Sequence, residues 1–271
     1  PADAPALVES LIAHPAVRRI NFTGSTPVGR IIARTCGEHL KPAVLELGGK
    51  APLLVLDDAD LEQAAAGAVF GAFANAGQIC MSTERIIVDT AVAEEFVALL
   101  ARRAAALPAS LLGPVVEMKT VTRCNALIED ALAKGARLLT GGTSNSTQMR
   151  ATLLDGVTRE MRIWHEESFG PVKSIIRVQN EAEALAVANE SEYGLSSAIY
   201  SRDSARAWNL AQNLQTGICH INGPTVHDEA QMPFGGCKSS GYGRFGGRAG
   251  IAEFTELRWI TLQTLPRELP F

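Results

Sequence analysis

The feature that most constrains this chain is an alternation of short apolar strands and amphipathic helices running almost from end to end. Ala4–Ala13 reads as a helix, stopped at His14-Pro15 because a residue before proline is driven out of the α region. A strand over 17–23 leads into Gly24-Ser25-Thr26-Pro27, which opens a helix to about Cys36 with proline in its first turn. Strands over 44–47 and 53–56 flank Gly48-Gly49, and Asp57-Asp58-Ala59-Asp60 caps a helix to about Ala74. Next come a strand over 85–88, helices over 92–106 and 119–134, and a strand over 137–139. The strand Val172–Val178, the helix Glu181–Asn189, a strand over 197–200, a helix over 204–214 and a strand over 217–221 continue the pattern. Strands separated by helices pair in parallel through crossovers, so the fold class is α/β.

Composition narrows what such a fold does. With 271 residues, 46% of them hydrophobic and 20% charged, the chain has material for one large core or two moderate ones, which excludes a disordered tail. A net charge of -4 supplies no electrostatic footprint for nucleic acid or an anionic membrane. No apolar run reaches the roughly 18–20 residues of a spanning helix. Neither nucleic acid nor membrane is therefore expected as a partner. Five cysteines, an odd number without a CxxC pair, predict reduced thiols in a cytoplasmic protein, with no disulfide framework or zinc site. The first residue is Pro1, which predicts that the chain belongs to a longer one.

Two stretches break the alternation. Residues 222–247 are glycine-rich and aperiodic, a long loop of the kind that carries function inside a compact domain. Over 255–263, Leu257, Trp259 and Leu262 are spaced among polar residues, which predicts a terminal strand needing a partner such as a neighbouring subunit.

Candidate chemistry is read with its plain alternative beside it. Gly24-Ser25-Thr26 between strand and helix offers backbone N–H groups and a helix dipole to a phosphate; Ser25 or Thr26 serves equally as an ordinary N-cap, and GxGxxG is absent. Glu46 ends an apolar strand, where a desolvated carboxylate acts as a general base, or else points to solvent or pairs with Lys50. Cys80 follows Gly77-Gln78-Ile79 after a small-residue helix, an accessible place for a thiol, although a lone cysteine is usually inert. Glu166-Glu167-Ser168-Phe169 precedes a strand, with solvated acids and a core aromatic as the default reading. His220, His227, Asp228 and Glu229 fit no standard metal-ligand spacing, so no metal is expected.

The order of these segments is informative. Asn21-Phe22-Thr23-Gly24-Ser25-Thr26, Leu45-Glu46-Leu47-Gly48-Gly49-Lys50, Gly77-Gln78-Ile79-Cys80, Glu167-Ser168-Phe169-Gly170-Pro171 and Pro233-Phe234-Gly235-Gly236 together resemble the aldehyde dehydrogenase superfamily over essentially the whole chain. Glu46 and Cys80 stand 34 positions apart, as that family's glutamate and cysteine do.

The resemblance implies an aldehyde dehydrogenase-like α/β fold. Its parts are the C-terminal part of an NAD-binding domain (1–48), a catalytic domain (49–236), a loop and helix returning to the cofactor (237–254), and an oligomerisation arm (255–271). It implies NAD or NADP as cofactor and an aldehyde as substrate, with Cys80 as nucleophile and Glu46 as base. Gly24 and Ser25 would lie by the pyrophosphate, Glu167 by the nicotinamide ribose, Phe169 by the nicotinamide and Phe234 in the substrate pocket. Residues 222–233 resemble the loop of enzymes acting on salicylaldehyde and vanillin, hence an aromatic aldehyde. The presence of Glu46 favours acid formation over acyl transfer to coenzyme A. Homodimers or homotetramers are implied for the full-length protein.

Two departures stand out: Phe245 follows Arg244 where many relatives carry glutamate, and residues 107–113 are shorter than the usual connection, predicting a trimmed surface loop. The rival expectations are a piece that keeps the fold but lacks turnover, because the family's oxyanion asparagine would lie upstream, and a non-catalytic relative.

Overall fold

The computed structural model describes residues 3–271. α1 (Ala4–Ala13) is capped by the Asp3 carboxylate, which accepts the Ala6 N–H at 3.3 Å. β1 (Ile20–Thr23), α2 (Thr26–Glu38) and β2 (Ala43–Glu46) then form one β-α-β unit with parallel strands, Thr23 standing opposite Glu46. Ile32 and Cys36 of α2 pack with Leu45, Leu47 and Ile12 in a small core.

The main body begins with β3 (Ala51–Val55), α3 (Leu61–Phe73), β4 (Thr83–Asp89), α4 (Ala93–Ala105) and the single turn α5 (Ala109–Leu112). It continues through α6 (Met118–Ala133), β5 (Arg137–Thr140), β6 (Thr152–Asp155), the single turn α7 (Arg162–His165), β7 (Val172–Val178) and α8 (Glu181–Asn189). β8 (Tyr193–Gly194), β9 (Ser196–Tyr200), α9 (Ser204–Ala211) and β10 (Ile218–Ile221) complete it, followed by β11 (Cys237–Lys238), β12 (Gly241–Tyr242) and α10 (Gly247–Glu253).

Seven strands form one sheet in the order β10-β9-β3-β4-β7-β6-β5, parallel throughout except for the antiparallel edge pair β5 and β6. The period of two along its central strands builds two cores. Leu54, Ile87, Ile176 and Ile199 face one side and pack with Leu127 and Ile128 of α6 and Val187 of α8. Leu53, Ile86, Ile175 and Ala198 face the other and pack with Ala64 and Ala68 of α3 and Phe96 and Leu100 of α4. A sheet covered on both faces explains why these strands read as near-continuous apolar runs.

The long loop after β10 comes back to the first unit. β12 lies antiparallel to β2, with Gly241 opposite Glu46, and the Leu47 N–H donates to Ser240 O at 3.0 Å. The Ser240 hydroxyl donates to Gly48 O at 2.6 Å, so the returning loop braces the segment after β2.

Three expectations change. The strand expected over 255–263 does not form: residues 255–271 carry no ladder hydrogen bonds, and Trp259 is 92% exposed. A strand exists only through its neighbour, and this segment meets no free edge of its own chain. The stretch over 107–113 is not a plain loop, because α5 forms there and buries Leu112. The helix expected over 204–214 ends at Ala211, where Gln212, Asn213 and Leu214 turn out of it. Among the described residues no helix is long and apolar enough to cross a membrane.

Candidate active site

The candidate residues meet where the two sheets face one another. Glu46 stands at the carboxyl end of β2, whereas the seven-stranded sheet contributes the amino ends of its strands. Lys50 immediately precedes β3, Cys80 precedes β4, and Glu167 and Phe169 precede β7.

α3 delivers the cysteine. Its Asp60 cap accepts the Gln63 N–H at 3.1 Å, and Ala64, Ala65, Ala68 and Ala72 let the helix lie close on the sheet. After Phe73 the backbone makes a tight turn in which Asn75, Ala76 and Gly77 all take positive φ (51°, 55° and 71°). Gly77 is required on steric grounds, since a Cβ there would stand 2.3 Å from Gly170 O. Cys80 follows, half-buried and not in a disulfide. Burial first, then the charges on Glu167 and Glu46, push its thiol up to about 11, with the backbone N–H groups of Met81 and Cys80 working the other way.

Gly48-Gly49 backs the site. A Cβ on Gly49 would fall 2.3 Å from Cys80 O, and one on Gly48 would fall 2.7 Å from Glu167 Oε2, so two bare residues allow nucleophile and carboxylate to approach the same backbone. The Gly49 N–H donates to Glu167 Oε1 at 2.9 Å. Burial pushes Glu167 up to about 7 against that hydrogen bond.

Glu46 is 4% exposed, and neither of its carboxylate oxygens has a hydrogen-bond partner. Burial pushes it up to about 7, opposed by the Arg244 guanidinium. The two plain alternatives are thus excluded: Glu46 does not face solvent, and Lys50 pairs with Glu84 instead, at 2.8 Å. A buried carboxylate without partners is primed to accept a proton or to hold a water. Gly24 lies next to it, its N–H donating to Glu46 O at 3.0 Å.

Fit to a dinucleotide is tested by unclaimed groups. Ser25 is the N-cap of the 13-residue α2, is exposed and makes no side-chain capping bond, which leaves the helix terminus open to an anion. Glu167 commits only Oε1 to Gly49. Phe169 holds φ at 41° with 38% of its surface exposed, so the default reading of a core phenylalanine fails. These groups fit a pyrophosphate, a ribose hydroxyl and a flat ring, in that order.

Phe234 lies in a cavity of about 360 Å³ shared with Ile218, His220, His227 and Met232, and the next residue, Gly235, abuts Glu46: a Cβ there would fall 2.8 Å from Glu46 Oε1. His220 and His227 meet edge-to-face with ring centroids 5.2 Å apart. A larger cavity of about 640 Å³, lined by Phe70, Phe73, Leu107 and Leu111, lies beside α3 and reaches the Cys80 turn at Ala74 and Asn75. Phe245 pairs with Phe234 through two backbone hydrogen bonds of 2.8 and 2.9 Å. Among the described residues no three His, Cys, Asp or Glu side chains gather as a metal site.

Sequence reasoning missed Glu84 and Lys173, and named Ser168 only as part of its motif. Glu84 accepts Lys50 Nζ at 2.8 Å, Lys173 Nζ at 2.7 Å, and the Ser168 hydroxyl and N–H at 2.5 and 3.0 Å. Charge alone does not mark Glu84 and Lys173, because β4 also carries Arg85 and Asp89 and β7 also carries Arg177.

The chain is 61% identical over 277 aligned positions to vanillin dehydrogenase of Pseudomonas fluorescens, covering all of this chain and 58% of that protein. Its fold matches the crystal structure of a salicylaldehyde dehydrogenase from Pseudomonas putida complexed with salicylaldehyde, with a TM-score of 0.97 and 48% identity, over 100% of this chain and 58% of that one. It also matches NADP-dependent glyceraldehyde-3-phosphate dehydrogenase from Bacillus halodurans complexed with NADP, with a TM-score of 0.88 and 39% identity, over 92% of this chain and 53% of that one. The chain therefore spans rather more than half the length of these relatives. The model of the aldehyde dehydrogenase family matches residues 1–260, and the chain belongs to that family.

Proposed function

We propose that this chain carries the nucleophile and the base of an NAD(P)-dependent enzyme that oxidises aromatic aldehydes to acids. One observation carries most weight: a buried, unpartnered Glu46 carboxylate lies close enough to Cys80 for its charge to act on the thiol. Names of the relatives, vanillin and salicylaldehyde dehydrogenase, favour an aromatic substrate.

The Cys80 sulfur attacks the carbonyl carbon, the thiol proton leaves to a base, and a thiohemiacetal forms with backbone N–H donors at its oxygen. With a thiol held near 11, the proton needs an acceptor, and Glu46, held near 7, is available at neutral pH. NAD or NADP, when bound, supplies the acceptor for the hydride that leaves the thiohemiacetal carbon. Glu46 first passes the thiol's proton to solvent; a water then attacks the thioester left on Cys80 and gives a proton to Glu46, which hands it to the departing sulfur, so that the acid and the thiol are released. Ser25 and Gly24 hold the pyrophosphate end, Glu167 the ribose, and Phe169 flanks the ring. Phe234, with Met232 and the two histidines, bounds the aldehyde's approach.

In this scheme residues 1–48 are the C-terminal part of the nucleotide domain and 49–236 the catalytic domain. Residues 237–254 close back on the cofactor side. The exposed apolar segment 255–271 is an arm for a second copy of the chain, and the protein is cytoplasmic. The test is turnover of salicylaldehyde, vanillin and acetaldehyde with NAD or NADP, on this chain and on a version extended to its relatives' length. Free acid and a higher kcat/KM for the aromatic aldehydes are expected. Acyl-CoA as the product, or a preference for acetaldehyde, overturns the proposal.

A further inference from the structure

The most heavily charged cluster inside the molecule lies under the loop that carries Glu167. Four hydrogen bonds converge on the Glu84 carboxylate: Lys50 Nζ and the Ser168 N–H on Oε2, Lys173 Nζ and the Ser168 hydroxyl on Oε1. All four residues are at most 2% exposed. The loop is gripped at two further points. Lys50 Nζ also donates to Glu166 O at 2.6 Å, and Arg123 Nε donates to Ser168 O at 3.0 Å.

Stability alone does not account for this arrangement. Two ammonium groups and one carboxylate in a dry interior lose hydration that their mutual attraction roughly restores, and apolar side chains of equal volume serve as well. What the cluster does uniquely is geometric. Glu167 sits between two residues held by it, and Phe169, directly after Ser168, is fixed at φ 41°, a left-handed conformation that an aromatic residue adopts only where its surroundings impose it. On the other side, Lys173 Nζ and Gly170 O lie 3.0 and 2.3 Å from where a Gly77 Cβ would be, so the same cluster abuts the turn into Cys80.

We infer that Glu84, clamped between Lys50 and Lys173, is a positioning residue: through Ser168 it sets Glu167 and Phe169 to receive the ribose and nicotinamide of the dinucleotide. This rests on the function proposed above. A carboxylate is needed because only an acceptor of four hydrogen bonds can take both ammonium groups and both Ser168 donors at once.

The test uses Ser168→Ala, which leaves the ion pairs intact, beside Glu84→Gln, which leaves two buried ammonium groups underpaired and risks the fold. Hydrogen exchange is followed by peptide, and nucleotide Kd and KM are measured beside kcat and the aldehyde KM. In Ser168→Ala, exchange in 167–170 should rise about tenfold while β4 and β7 stay unchanged. Nucleotide Kd and KM should rise at least about fivefold with the aldehyde KM within about twofold. Unchanged loop exchange, exchange that rises evenly over β4 and β7, or a loosened loop with unaltered nucleotide affinity each overturns the inference. A wild-type protein that binds neither NAD nor NADP removes the proposed function instead, and the clamp is then decided by exchange alone.

Discussion

Glu46 and Cys80 hold their protons in a way that fixes the order of events. With Glu46 near 7 and the thiol near 11, the resting pair is half carboxylate and almost wholly thiol at neutral pH. Hydrolysis of the thioester requires the carboxylate form, so its rate should climb with pH through about 7 and level off above it. Glu46→Gln should slow that step by about 10²–10⁴-fold and flatten the climb, as read by single-turnover acid release. Glu167 acts on the thiol through charge alone. Glu167→Gln removes one of the two negative charges pushing Cys80 up, so iodoacetamide should alkylate Cys80 several-fold faster at pH 8, by peptide mass analysis.

At the scale of elements, the strands carry the site on their ends and brace it with charge. Burial opposes ionisation of Glu84, yet Lys173 and Lys50 outweigh it and hold the carboxyl at about 2, against an ordinary 4.5. The folded state therefore binds that proton less readily than the unfolded chain. The stabilisation is complete above pH 4.5 and is lost as pH falls toward 2. Thermal midpoints should drop across that window, and the share due to Glu84 should vanish in Glu84→Gln, which should be less stable at pH 7. Gly77→Ala should cost about 1–3 kcal/mol, seen as a lower Cm in urea, because φ is 71° and Gly170 O occupies the space.

The same elements show what a sequence can reveal. Val172–Val178 and Glu181–Asn189 are legible to the residue, since a buried β-branched run and an Asn-capped helix each carry their own signal. Thr152–Asp155 is not, because four buried residues after a glycine-rich loop show no period. Pairings as short as β8 with β11 or β12 with β2 arise only from tertiary contact. Cys80, Glu46 and Glu167 stood out by the order of their motifs. Glu84 and Lys173 did not, since a buried charge has no local mark until its partner is known.

At the scale of the molecule, two sheets meet end to end, the carboxyl end of one against the amino ends of the other. Glu46, Cys80 and Glu167 lie in that seam; β12 closes on β2 beside it, whereas 255–271 stays outside with Leu257, Trp259 and Ile260 exposed. Removing 255–271 should leave the thermal midpoint nearly unchanged, because the segment buries no core residue of its own chain. It should convert any dimer or tetramer to a monomer in light scattering after size exclusion.

The central claim is that Cys80 bonds covalently to an aldehyde carbon, and this can be observed without turnover. Salicylaldehyde labelled with ¹³C at its carbonyl is mixed with the protein and followed by NMR. In the wild type the carbonyl signal should shift to that of a tetrahedral carbon, and in Cys80→Ala it should stay an aldehyde. An adduct that survives Cys80→Ala, or no adduct in the wild type, contradicts the account.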